Sequence, residues 1–118
     1  MPRNRRSAKV AGSSFERLVA DYLAEELDNP HIDRRVKTGK HDRGDIAAVE
    51  TMDGGRVVLE CKNHKTLKLP EWWRETEQER INDNAKIGVI VHKRHGHGKP
   101  ADQWVTMNLE MFAQLIKH

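Results

Sequence analysis

Cysteine and long apolar stretches are scarce in this chain, and each scarcity excludes a class of structure. Cys61 is the single cysteine among 118 residues, which excludes an internal disulfide framework and a cysteine-based zinc site. No stretch approaches the roughly 18 uninterrupted apolar residues of a membrane span, and no apolar run follows the basic N-terminus. We therefore expect a soluble cytoplasmic protein with neither a membrane partner nor a secretory signal.

The chain is also short for two domains. Hydrophobic residues make up 36% and charged residues 33% of the sequence, so only a small core can form. Three tryptophans and several runs of Val, Ile and Leu suffice for that core. We predict one domain over residues 13–118, preceded by a flexible basic arm over 1–12.

Positive charge is concentrated in separate segments. Residues 1–12 carry four basic residues and no acid, which exceeds the net charge of +3 for the whole chain. Basic residues also cluster in 34–43, 62–68 and 93–99, whereas acids concentrate in 16–28 and 71–83. This segregation is typical of a face that binds nucleic acid, although solvated surface charge is the alternative. The residues that we expect to contact DNA are Arg3, Arg5, Arg6, Lys9, Arg34, Arg35, Lys37, Thr38, Lys40, Arg43 and Lys65.

Hydrophobic periodicity predicts three helices and five strands. The helices are predicted over 14–27, 71–83 and 109–117, and the strands over 32–37, 45–50, 56–62, 87–92 and 104–107. The first three strands can form a meander. The helix before the fourth strand is long enough for a crossover that makes the third and fourth strands parallel. The order predicts an α/β fold with a mixed five-stranded sheet and helices on its faces.

Two charged residues interrupt an apolar strand. Glu60 and Lys62 share one face of it, because alternate side chains of a strand point the same way. Charged groups are rarely buried unless they are paired or bound to metal. Asp45 begins the neighbouring strand and can lie beside Glu60 across the hairpin. The pattern predicts two carboxylates and an ammonium at one sheet edge, and the alternative is an exposed Glu–Lys pair of little energetic consequence.

Paired carboxylates favour Mg²⁺, for which Mn²⁺ should substitute, together with waters and a substrate phosphate. Lys62 could then orient or deprotonate a water that attacks phosphorus while the metal stabilises the developing charge. Asp42 competes with Asp45 as a ligand, but Asp45 is preferred because it begins an apolar strand. Thr38 and Lys40 could bind the adjacent phosphate, or their loop could simply be a turn at Gly39.

Histidines recur near the end of the chain. His92, His95 and His97 resemble a metal cluster, but a closed zinc site needs four ligands and no cysteine is nearby. We expect a basic loop there instead.

The spacing of Asp45 and Glu60-x-Lys62 around a hairpin resembles the PD-(D/E)xK nuclease superfamily. The segment G-S-S-F-E-R over 12–17 resembles the opening helix of archaeal-type Holliday junction resolvases, which carry a glutamate there. The basic loop R-R-V-K-T-G before Asp45 matches their layout, and the size of the chain resembles small phage-encoded resolvases. One departure is Gly44, which stands where the superfamily pattern has proline.

This resemblance implies a restriction-endonuclease-like α/β/α sandwich and a Mg²⁺-dependent homodimer that cuts four-way DNA junctions. It implies Asp45 and Glu60 as metal ligands with the backbone carbonyl of Cys61 as a third, Lys62 serving the water and Glu16 assisting the metal site. No small-molecule cofactor is expected. Two other functions stay open: a related nuclease that cuts flaps, nicks or duplex DNA, and a non-catalytic nucleic-acid-binding module.

Helix position alone does not single out Glu16. At 100° per residue it lies on the flank of the apolar stripe of its helix, and Glu26 falls nearer the centre of that stripe. A glutamate in the first turn of a helix could also serve only to complement the helix dipole. The motif favours Glu16.

Overall fold

The computed structural model describes residues 4–36 and 42–117. These residues form helices α1 (Arg5–Glu26), α2 (Leu69–Asn82) and α3 (Leu109–Ile116), strands β1 (Asp33–Arg34), β2 (Ile46–Ala47), β3 (Val57–Lys62), β4 (Ile87–His92) and β5 (Trp104–Thr106), and a 3-10 turn over Pro100–Asp102. No helix within these ranges is both long and apolar enough to cross a bilayer.

The strands form one mixed five-stranded sheet in the order β1-β2-β3-β4-β5. The pairs β1–β2, β2–β3 and β4–β5 are antiparallel, while β3 and β4 are parallel from Val57↔Ile87 to Lys62↔His92. The predicted meander and the predicted parallel crossover are therefore confirmed, as is the mixed α/β class.

The helices cover both faces of the sheet. Leu59, Cys61 and the odd-numbered residues of β4 join the hydrophobic core against α1 and α3. On the other face, a side chain at Gly88 would contact Thr76 and Arg80 of α2. All six residues of β4 are buried, as expected for an apolar strand covered on both sides. The face that carries Glu60 and Lys62 is thus the α2 face.

Helix α1 is longer than the sequence predicted. It starts at Arg5, with the Asn4 side chain accepting a hydrogen bond from the Ser7 N–H at 2.8 Å. The prediction of an arm without regular structure over 1–12 is wrong for residues 5–12. Ala, Arg and Lys in this segment favour a helix, and Asn4 caps it well before residue 14, where the sequence predicted that the helix starts.

The first two strands are shorter than predicted. β2 ends at Ala47 because Ala48 adopts a left-handed conformation with φ of 70°, which interrupts the ladder. Pairing resumes only as a bridge between Glu50 and Arg56 beside the turn at Gly54. β1 spans two residues, and the predicted positions Lys37, Thr38 and Lys40 lie outside the described residues, as does Arg3.

Candidate metal centre

Asp45 is fixed by the backbone of the neighbouring strand. Its N–H donates to the Leu59 carbonyl at 2.9 Å, and its Oδ2 accepts from the Cys61 N–H at 2.7 Å. Only 1% of Asp45 is exposed. The approach is close because Gly44 has φ of 96°, which proline cannot adopt, and a Cβ there would lie 2.8 Å from Val58 Cγ1. A proline at position 44 would therefore not fit this backbone.

Glu60 lies on β3 beside Asp45 and points toward α2. It shares this face with Lys62, as strand alternation predicted. Glu60 is 6% exposed, and in the described part of the chain its Oε2 is buried without a hydrogen-bond partner. Asp45 and Glu79 are its acidic neighbours. Burial removes the hydration of these carboxylate oxygens, and the neighbouring acids repel them when they are ionised.

Glu79 was missed by the sequence analysis. Glu75 and Glu79 of α2 and Asp83 at its C-cap recur every fourth residue, so they lie on one stripe of the helix. This stripe faces the sheet. Glu75 contacts Lys62 at 2.7 Å and Asp83 lies among arginines, while Glu79 faces Glu60. The helical spacing of these acids was the available signal.

Asp42 also reaches this cluster. One carboxylate oxygen each from Asp42, Glu60 and Glu79 lies within 4.8 Å of the other two. The Asp42 loop is held by its own Oδ1, which accepts from the Gly44 N–H at 2.9 Å, and by its carbonyl, which accepts from Asn82 of α2 at 2.9 Å. The preference for Asp45 over Asp42 stays a prediction, because both carboxylates approach Glu60.

The electrostatics of the cluster favour a cation or a proton. Burial raises the pKa of Glu60 well above its usual range, and the neighbouring Glu79 and Asp45 raise it further. Either a proton on Glu60 or a bound cation relieves this repulsion. Oxygen donors alone suit a hard divalent ion, so the residues present fit Mg²⁺.

Lys62 is held among acids. Burial lowers its pKa, but the Glu75 hydrogen bond at 2.7 Å and the charges of Glu60, Glu75 and Asp45 outweigh burial and raise the pKa overall. Its Nζ lies 3.6 Å from Glu60 Oε1. A raised pKa keeps the ammonium protonated, which favours orienting and charge-stabilising roles over the deprotonation of water.

Glu16 contacts a different partner from the one predicted. Its Oε1 accepts from Arg34 Nε of β1 at 3.2 Å, and it does not belong to the group formed by Asp42, Glu60 and Glu79. Its assisting role stays a prediction, as does the role of the Cys61 carbonyl. Glu26 is exposed at the end of α1.

Several predicted DNA contacts are engaged within the protein. Arg35 and Arg43 lie 3.7 and 3.8 Å from the buried carboxylate of Asp83, which Arg56 also approaches at 3.7 Å. Arg34 is paired with Glu16 as described above. The remaining described members of the predicted set are exposed: Arg5, Arg6, Lys9 and Lys65.

The three histidines do not converge. His92 is buried on β4, with its Nε2 2.7 Å from Thr106 Oγ1. His95 contacts the carbonyl of His64 at 2.8 Å, and His97 lies 3.9 Å from Asp102. Each of the three imidazoles thus has a different partner, and the expectation of a basic loop instead of a zinc site stays a prediction.

Comparison of the chain with protein-family models, with curated proteins and with solved structures finds no match.

Proposed function

We propose that this protein is a Mg²⁺-dependent DNA endonuclease with a restriction-endonuclease-like fold. The observation that carries the proposal is the meeting of two buried carboxylates, Glu60 of β3 and Glu79 of α2, with the exposed carboxylate of Asp42, beside the Lys62 ammonium. Carboxylates clustered with a lysine can hold a metal ion and place a positive charge beside a phosphate, and both contributions support metal-assisted phosphodiester hydrolysis.

Asp42 or Asp45, together with Glu60 and Glu79, would hold the ion. When bound, Mg²⁺ would supply a Lewis acid that neutralises charge on the scissile phosphate. Lys62 would contribute a fixed positive charge beside Glu60, where it can donate hydrogen bonds to a phosphate oxygen or to water. Glu75 would hold that ammonium in place through its 2.7 Å contact.

The substrate class follows from charge and from the resemblance. Arg5, Arg6 and Lys9 are exposed at one end of α1, and Lys65 is exposed just beyond Lys62. Such basic residues bind phosphates without reading sequence. Four-way junctions are the substrate that the resemblance favours, and a homodimer would present two sites to two strands of such a symmetric substrate.

The test compares cleavage of a labelled four-way junction, a flap and a linear duplex, with Mg²⁺, Mn²⁺, Ca²⁺ or EDTA. We expect junction cleavage with Mg²⁺ and Mn²⁺, and binding without cleavage in Ca²⁺, whose longer and looser coordination misplaces the reacting groups. Asp45→Asn and Lys62→Ala should abolish cleavage while leaving junction binding nearly intact. Lys86→Ala, which removes a lysine paired with Asp53 instead, is the matched control.

Three results would count against the proposal. Efficient turnover in EDTA would show that cleavage needs no metal. Cleavage by either site variant within a few-fold of wild type would show that the substituted residue is not required. Absence of cleavage on every substrate, with binding retained, would favour the binding module. Cleavage of flap or duplex in preference to junction would support nuclease activity and contradict the junction as its substrate.

A further inference from the structure

A tryptophan lies in the same row of the sheet as Lys62. Lys62 pairs with His92 across β3 and β4, and His92 pairs with Trp104 across β4 and β5. Paired residues place their side chains on the same face, so the row points toward the α2 side. Two strand spacings separate the Cα atoms of Lys62 and Trp104 by about 10 Å.

Trp104 is not covered by the helix on this side. α2 packs against β3 and β4, whereas β5 is the edge strand of the sheet. Trp104 keeps 48% of its surface exposed, whereas Trp72 of α2 is 3% exposed and covers His92 with ring centroids 6.0 Å apart. Trp104 therefore buries far less of its surface in the core than a side chain of its size can.

The surroundings of Trp104 are basic. It borders an open groove of about 460 Å³ whose lining includes His64, Lys65, Lys93 and His95. None of the described residues that line this groove is acidic. The guanidinium of Arg94 lies 4.5 Å from the centroid of the indole ring and so covers one side of it.

We infer that Trp104 and Arg94 form a stacking site for an unpaired DNA base, with the phosphates of that strand lying along Lys65 and Lys93. An exposed aromatic ring beside lysines matches the two needs of a single strand, which are a surface for base stacking and positive charge for phosphate. A protein partner would be expected to meet a less uniformly charged rim.

The inference rests on the proposed function in so far as it names part of the substrate. The separation of about 10 Å from Lys62 corresponds to roughly three stacked nucleotides at 3.4 Å each. An unpaired base at Trp104 would thus bring the same strand to within a few nucleotides of Lys62. Branched DNA offers unpaired bases near its branch point, while continuous duplex does not.

The experiment measures binding of a fluorescein-labelled single strand and of the same strand in duplex, in EDTA so that cleavage does not enter. Trp104→Ala should weaken single-strand binding about 5- to 150-fold, the range for loss of one stacked base, and duplex binding less than about 3-fold. Arg94→Ala should weaken single-strand binding in the same direction. Trp104→Phe should retain most of the affinity, which distinguishes lost stacking from a damaged fold.

Phe112→Ala is the control, because Phe112 is an exposed aromatic residue on α3, on the opposite face of the sheet. Equal loss for single strand and duplex, or no loss with Trp104→Ala, would overturn the inference. A changed molecular mass in sedimentation with Trp104→Ala would instead assign the patch to a second copy of the chain, and would also overturn it. Selective binding of the single strand, without metal-dependent cleavage of any substrate, would support the stacking site and contradict the proposed nuclease activity.

Discussion

At the scale of single residues, Glu60 has the most perturbed electrostatic environment of the candidate site. Its burial and its acidic neighbours raise its pKa, so the folded state binds a proton that the unfolded chain releases at lower pH. A carboxyl group with a raised pKa makes the fold less stable as pH rises above its ordinary value. Without metal, folding at neutral pH therefore requires Glu60 to take up a proton, and this uptake makes the fold less stable.

We predict that Glu60→Gln increases the free energy of unfolding at pH 8 in EDTA by about 1–3 kcal/mol, because the neutral amide needs no proton uptake when it is buried beside Glu79 and Asp45. Added Mg²⁺ should stabilise wild type by mass action and leave Glu60→Gln unchanged. Urea unfolding with and without Mg²⁺ measures both effects. Glu71→Gln, in the exposed first turn of α2, is the control and should respond to Mg²⁺ like wild type. Equal stabilisation of wild type and Glu60→Gln by Mg²⁺ would show that the ion binds elsewhere.

Gly44 is the second residue on which the site depends, because its backbone sets the approach of Asp45 to β3. Gly44→Ala would strain a residue at φ of 96° and place a Cβ 2.8 Å from Val58 Cγ1 and 3.2 Å from the Leu59 carbonyl oxygen. We expect a loss of about 1–3 kcal/mol in the free energy of unfolding. Gly98→Ala, where a Cβ would meet no atom within 4 Å, should be nearly neutral in the same urea titration. Equal stability of the two variants would contradict this account.

At the scale of elements, apolar pattern predicted β3, β4 and β5 closely and predicted the first two strands too long. β4 and the Glu60–Lys62 face were predictable because each has a continuous or alternating pattern that burial enforces. β2 was predicted too long because the left-handed turn at Ala48 is a local backbone state that apolar pattern does not report. Glu79 joins the cluster through the packing of α2 on β3. Its spacing along the helix indicated an acidic stripe, but not the strand that this stripe faces.

His92 makes β4 sensitive to acid. Burial lowers its pKa, and within the described residues its Nδ1 is buried without a hydrogen-bond partner. Below its ordinary pKa of about 6.5 the unfolded chain therefore binds a proton that the fold resists, so stability falls as pH decreases. Glu60 changes the stability in the opposite direction with pH. The effect of His92 is therefore isolated by comparing the free energies of unfolding of wild type and a His92 variant.

We predict that wild type loses stability relative to His92→Gln between pH 7 and pH 5, at most about 1.4 kcal/mol per pH unit. Glutamine can still donate to Thr106 but does not titrate. Urea midpoints at several pH values measure the difference, and His31→Gln, at an exposed position, should follow wild type. A constant difference between wild type and His92→Gln across this range would reject the assignment.

At the scale of the whole molecule, α1 gives the protein an extended shape and a separate charged end. The principal extents are 47 × 29 × 28 Å, and the buried face of α1 starts only at Phe15. Arg5, Arg6 and Lys9 precede that face and fall within about 100° around the helix axis, since successive residues turn by 100°. The basic N-terminal end that the sequence indicated is thus, from Arg5 onward, an ordered stripe on a helix.

An ordered stripe should neutralise phosphates as a unit. We predict that replacing Arg5, Arg6 and Lys9 together by glutamine flattens the slope of log K against log salt by about two to three units, since each duplex phosphate contributes about 0.9. The change should be similar for junction and linear duplex, because backbone contacts position the protein and do not specify the substrate. Substitution is preferred to deletion, since removing residues up to 11 would also remove helical turns of α1. Fluorescence-anisotropy titrations at several salt concentrations measure the slope, with Lys86→Gln as the single-charge control. Parallel lines for the triple variant and wild type would show that this end of α1 does not touch DNA, and the basic surface would then be confined to the groove beside Trp104.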